Sequence, residues 1–221
     1  VKSVHCAIAD RRRRITGDSG LTLSELMVTL VLMGIVGTLM MTAVVNVTRT
    51  VTKNQANADS LDIARIGMNR ITKTIRAGMD IQRSGLADLP ALASVSPNQL
   101  TVYASVGAVP AKVTYSINGS RELIEQWYAG NAASNPYWTF VATPRTTIVA
   151  RKIPAGSAAL FVYLDEFGDP IANQTTNTVA DLELIRSVRI ELTVDADPAR
   201  GGGPVTISNT VVLPNLGIAK R

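Results

Sequence analysis

Glu25 is the one charged residue in TLSELMVTLVLMGIVGTLMMTAVVNVT, residues 22–48. A carboxylate at membrane depth costs about 2.5 kcal/mol or more at the bilayer centre and less near its edge. Two chemistries suit such a group: a side chain that reaches interfacial water, or an ion pair with a cation brought to the same depth. Asp165, Glu166 and Asp169, in LDEFGDP, form a second cluster. Calcium takes about six to eight oxygens, and three acids in five residues could start such a site. The same residue types build hairpin turns, which is the expected reading here and for Asp195 and Asp197 in DADP. No cofactor is assigned. A third group is aromatic: Trp127, Tyr128, Tyr137, Trp138 and Phe140 flank AGNAASNP. An exposed aromatic loop could bind sugar or stack bases through Trp127 and Trp138. The same residues also suit the core and rim of a β-domain.

The only cysteine is Cys6 and the only histidine is His5. Residues 21–221 therefore contain no disulfide, no Cys/His metal site, and no Cys-His or Ser-His catalytic pair. No phosphate-binding loop or dinucleotide fingerprint is present, and RGGGP lacks the strand-to-helix context such a motif needs. Nothing in the pattern sets two carboxylates on facing strand ends as a glycosidase requires. The chain does not read as an enzyme. Its formal net charge is +5, but residues 1–20, with Arg11 to Arg14, hold +3 of it. The rest lacks the basic stripe of a nucleic-acid binder, so nucleic acid enters only as a ligand of a DNA-uptake module.

The elements that must position these groups follow from hydropathy. Residues 26–48 are 23 uncharged positions, with arginines before them and Arg49 and Lys53 after. A helix of that length spans roughly 35 Å, enough for a hydrocarbon core of about 30 Å. The denser basic cluster precedes it, which places the N-terminus in the cytoplasm and the remainder outside. Residues 49–60 contain neither proline nor glycine, so the helix can continue. Leu61, Ala64, Met68, Ile71, Ile75 and Met79 then recur at helical spacing, an apolar stripe ending near Gly78. From about Ile81 the pattern changes to short β-rich runs: QLTVYASV, KVTYSING, RELIEQWYA, ALFVYLDE, SVRIELTVD and PVTISNTVVLP. A short turn near 84–92 is the only other helical candidate. The fold class expected is α+β: a long N-terminal helix packed on an antiparallel β-sheet head.

GLTLSELMVTLVLMGIV resembles the class III signal of type IV pilins and type II secretion pseudopilins. In that family a prepilin peptidase cuts after a glycine on the cytoplasmic side and N-methylates the new first residue. The resemblance implies Gly20 as the last leader residue, Leu21 as the methylated N-terminus, and Glu25 as the fifth mature residue. Leu21 stands where phenylalanine is commoner. It further implies that Glu25 meets the N-terminal amine of a neighbouring subunit. The implied organisation is a removed leader over 1–20, a transmembrane and assembly helix over 21–48, its amphipathic continuation over 49–79, and a β-rich head over 80–221. The implied partners are the prepilin peptidase, other pilin or pseudopilin subunits, and the cytoplasmic membrane; the destination is an extracellular or periplasmic fibre. ALFVYLDEFGDPIA and the run from Ser187 to Asn215 are similar to the C-terminal strands of larger minor pilins and minor pseudopilins. The expected function is thus a minor pilin at or near the fibre tip. A secretion pseudopilin and a fibre-borne adhesin or DNA-uptake module remain open.

Overall fold

The computed structural model describes residues 22–213. Helix α1 (Leu23–Arg76) is followed by β1 (Leu92–Ser96), β2 (Gln99–Ala104), β3 (Ala111–Ile117), β4 (Leu123–Ala129) and β5 (Arg145–Ala150). Then come β6 (Phe161–Leu164), the single turn α2 (Val179–Leu182), β7 (Ser187–Val194) and β8 (Val205–Val212). This is the α+β layout expected. The chain divides into two compact units, one up to Arg49 and one from Thr50.

In the second unit the strands form two antiparallel sheets, β1-β2-β3-β4-β5 and β6-β7-β8, each in sequence order. The chain leaves the first sheet after β5, where Lys152 and Gly156 take positive φ around Pro154. Such backbone does not continue a ladder. Strands β1 and β5 are not among the β-rich runs expected from the sequence. The first, LASVS, is dominated by small residues. The second, RTTIVA, is hidden between two loop-forming runs. The segment near 84–92 is a turn without a helix, and α2 appears instead at Val179.

From Thr50 onward α1 buries one stripe against both sheets. Ala64, Met68, Ile71 and Ile75 are core residues as expected. Leu61 and Met79 are only half-buried. The remainder of the stripe is small or polar: Ala56, Ser60, Gly67, Thr72 and Thr74. A Cβ on Gly67 would stand 3.0 Å from Leu192 Cδ2 and 3.4 Å from Ala150 Cβ. The helix thus runs close to β5 and β7, and close approach explains a glycine that costs about 1 kcal/mol in helix propensity. The helix ends at Arg76, and Gly78 pairs with Ala104 as an isolated bridge.

Polar groups fix the fit. Glu125, on the inner face of β4, has a side chain 3% exposed and accepts from Arg70 Nε at 2.9 Å and Nη2 at 2.8 Å. Tyr115 donates to the same carboxylate at 2.7 Å and shares a hydrogen bond with Thr74 at 2.8 Å. The hydrogen bond to Glu125 raises the Arg70 pKa, desolvation opposes this, and the carboxylate charge adds to it. Asn209 on β8 donates to Thr72, and Ala196 N donates to Ser60, each at 3.0 Å. Tyr163 on β6 donates to the carbonyls of Ser96 at 2.9 Å and Gln99 at 3.0 Å, tying the second sheet to the β1–β2 turn.

Arg70→Met strands a buried carboxylate and should cost about 3 kcal/mol. Arg151→Met, which removes an exposed contact to Glu122 at 3.7 Å, should cost under about 1 kcal/mol. Urea unfolding followed by tryptophan fluorescence compares them, and equal losses would refute the assignment. Burial also pushes the hydroxyls of Tyr115 and Tyr163 well above their ordinary value of 10. Above pH 10 the unfolded chain releases these protons and the folded chain keeps them. Stability is therefore intact below pH 10 and falls above it, by about 1.4 kcal/mol per pH unit per tyrosine. Tyrosinate absorbance should show both rings ionising only as the head unfolds, and Tyr115→Phe and Tyr163→Phe should each remove one delayed equivalent.

Candidate functional site

The first unit is the opening half of α1. Leu26 N donates to Thr22 O at 3.1 Å, and Glu25 N donates to Thr22 O at 3.0 Å and to its hydroxyl at 3.3 Å. Thr22 is therefore the N-cap and Glu25 the third helical residue, the spacing of a capping box. This local role is legible in TLSE itself. An acid in the first turn also suits the helix dipole. Among the described residues the Glu25 carboxylate makes no ion pair and no side-chain hydrogen bond. Gly20 and Leu21 lie outside the described residues.

Every residue from Thr22 to Val51 except Val45 is exposed. The most apolar 18-residue window of α1 has mean hydropathy 2.3, and none of it is buried. The threonines in this stretch turn their hydroxyls back onto the helix. Thr29 donates to Leu26 O at 2.9 Å, Thr42 to Thr38 O at 2.8 Å, and Thr48 to Val44 O at 2.9 Å. Thr38 donates to both Gly34 O and Ile35 O. In an apolar solvent a polar group must be satisfied within its own segment, and these are. One N-terminal helix is thus long and apolar enough to span a membrane.

The other sequence candidates fall elsewhere. Asp165 Oδ1 accepts from Phe167 N at 2.9 Å and Asp169 N at 3.0 Å, and Asp165 N donates to Asp169 O at 2.9 Å. Gly168 completes the loop with φ of 86°. These acids form a turn. Among the described residues no three His, Cys, Asp or Glu side chains are grouped to hold a metal, so Asp165, Glu166 and Asp169 do not converge as a calcium site. Asp165 and Glu166 border an open cleft of about 350 Å³ with Phe167, Ile171, Leu184 and Arg186. Asp197 caps the short turn Pro198–Arg200 and pairs with Arg200 at 2.9 Å.

The two tryptophans have different surroundings. Trp127 is partly buried against the core, between Val113 and Arg145 in the ladder. Trp138 Cε3 lies 3.2 Å from where a Cβ on Gly130 would sit. The register instead aligns Tyr103, Lys112 and Tyr128 across β2, β3 and β4. Lys112 Nζ stands 5.3 Å over the Tyr128 ring, and Tyr103 stacks on Phe140 at 5.3 Å. Burial raises the Tyr103 pKa, with nearby Arg83 opposing it. Only the strand register could have revealed this row.

Comparison with protein-family models, with curated proteins and with solved structures finds no match for this chain. What the geometry establishes is an α+β protein with one N-terminal helix of membrane-spanning length and composition.

Trp127→Ala should destabilise the head by about 2 kcal/mol, less than the roughly 3–5 kcal/mol of a fully buried tryptophan. Trp138→Ala should cost less. Equal losses in urea unfolding would place both residues in the same environment and overturn this assignment.

Proposed function

We propose that this chain is a minor type IV pilin, cut after Gly20 by a prepilin peptidase and assembled into a fibre through α1. One observation carries the reading: Glu25 has no partner among the described residues, yet it opens an apolar helix that no described residue covers. Such a helix needs lipid or other helices around it. In a helix bundle an unpaired carboxylate is costly, and a cation at equal depth offsets that cost. The amine created at Leu21 of a neighbouring subunit supplies one. The motif from Gly20 to Glu25 and the basic residues before it support the same processing step. The large β head supports a minor rather than a major subunit, at or near the fibre tip.

Mass spectrometry of the N-terminal peptide, from cells that express a prepilin peptidase, tests the first step. A chain beginning at N-methylated Leu21 is expected; one still carrying residues before Gly20 refutes the reading. Glu25→Ala should be processed normally but fall roughly a hundredfold in the sheared fibre fraction. That loss corresponds to about 3 kcal/mol for an ammonium left unpaired. Assembly at the parental level would mean that Glu25 only caps its helix.

A further inference from the structure

We propose that the open edge of β8 pairs with the same edge of a second copy of this chain. The inference rests on the head alone and is independent of how α1 is processed. β8 pairs with β7 over its whole length, from Ser187↔Val212 to Val194↔Val205, with no register shift. Leu213 N donates to Arg186 O at 3.0 Å, which sets the phase of the ladder. Residues 205, 207, 209 and 211 therefore exchange hydrogen bonds with β7. On the far side of β7, Glu191 N donates to Leu160 O and Asp195 N to Lys152 O, as this phase requires. The backbone N–H and C=O groups of Thr206, Ser208, Thr210 and Val212 consequently point away from the sheet. Among the described residues no strand or bridge pairs with them.

The other sheet edges are blunted. β1 carries a bulge between Leu92 and Ser94 and is bridged at Val95 by Thr176. β5 begins with Arg145, and its pairing with β4 shifts register between Leu123 and Ile124. β6 has four residues. β8 is eight residues, VTISNTVV, without a charge, a proline or a bulge. The devices that keep edge strands from pairing are missing from this one edge.

The sequence argues for a second copy as the occupant. About Ser208 the strand reads nearly alike in both directions. An antiparallel pairing centred there sets Thr206 against Thr210 of the second copy, Ser208 against Ser208, and Val205 against Val211. Outward-directed residues then face outward-directed residues, so each such pair exchanges two hydrogen bonds. A twofold contact requires this self-complementarity. No charges oppose each other. Threonine pairs across strands are also a contact the head already makes, at Thr193–Thr206 (2.8 Å) and Thr101–Thr114 (3.1 Å).

The test uses the full chain in detergent micelles with its only cysteine, Cys6, replaced by serine. Facing Cα atoms of a hydrogen-bonded pair lie about 5.5 Å apart, within disulfide range. Mild oxidation should convert Ser208→Cys into a linked dimer, while Gln126→Cys on the outer face of β4 stays a single chain. Ser208→Pro removes an outward N–H and no β7 bond. It should shift the mass in micelles from two chains to one, and the separated head should still unfold cooperatively in urea. Ser208→Lys keeps every backbone bond and sets two ammonium groups together, so it should separate the copies at low salt. Association driven by α1 would instead survive both substitutions and give no preferred cross-link at residue 208. That result, or a cross-link from residue 208 to a different protein only, overturns the proposal.

Discussion

On the inner face of β4 a carboxylate is held almost entirely out of water, and what neutralises it comes from another element. Glu125 accepts two bonds from Arg70 on α1 and one from Tyr115 on β3. A charge in that place is tolerable only while the arginine is there. The helix must therefore lie where Arg70 can reach, and β3 and β4 must be in the register that sets Tyr115 opposite Glu125. Apolar burial alone would accept several placements of a stripe built from alanine, glycine and isoleucine. The fork of the guanidinium accepts one.

Much of the fold was legible because hydrophobic periodicity survives in the sequence. The change from a 23-residue uncharged run to an amphipathic stripe, and then to β-rich runs, is visible without coordinates. Six of the eight strands among the described residues are marked by their β-branched and aromatic residues. β1 is not, because a short strand of small residues carries little pattern, and β5 is not, because its β-branched residues stand between two loop-forming runs. The division into two sheets was also hidden, since it depends on positive φ at Lys152 and Gly156. The polar residues on the buried face of α1 escaped for a related reason. Periodicity registers apolar side chains, whereas Ser60, Thr72 and Thr74 are buried because each has a partner distant in sequence.

The candidate site divides in the same way. Glu25 stood out in the sequence as a charge among apolar residues. Its capping geometry is equally present in TLSE, where Thr22 stands three residues before Glu25. The acids near Asp165 showed the converse. Their spacing suggested oxygen ligands, while the structure uses one carboxylate to hold the amides of its own turn. Trp127 and Trp138 are close in sequence, yet one belongs with the core and the other with a loop. The row of Tyr103, Lys112 and Tyr128 is spread over 26 positions of sequence and exists only through the ladder.

The hydroxyls buried along α1 have a mechanical consequence. Ser60 is bonded to the segment after β7, Thr72 to β8 and Thr74 to β3, and Arg70, between Ser60 and Thr72, grips β4. Sliding the helix by one turn, about 5.4 Å, would break all four contacts together. A pull along the helix axis therefore loads them in parallel and in shear, so force is divided among both sheets and no single strand is peeled off first.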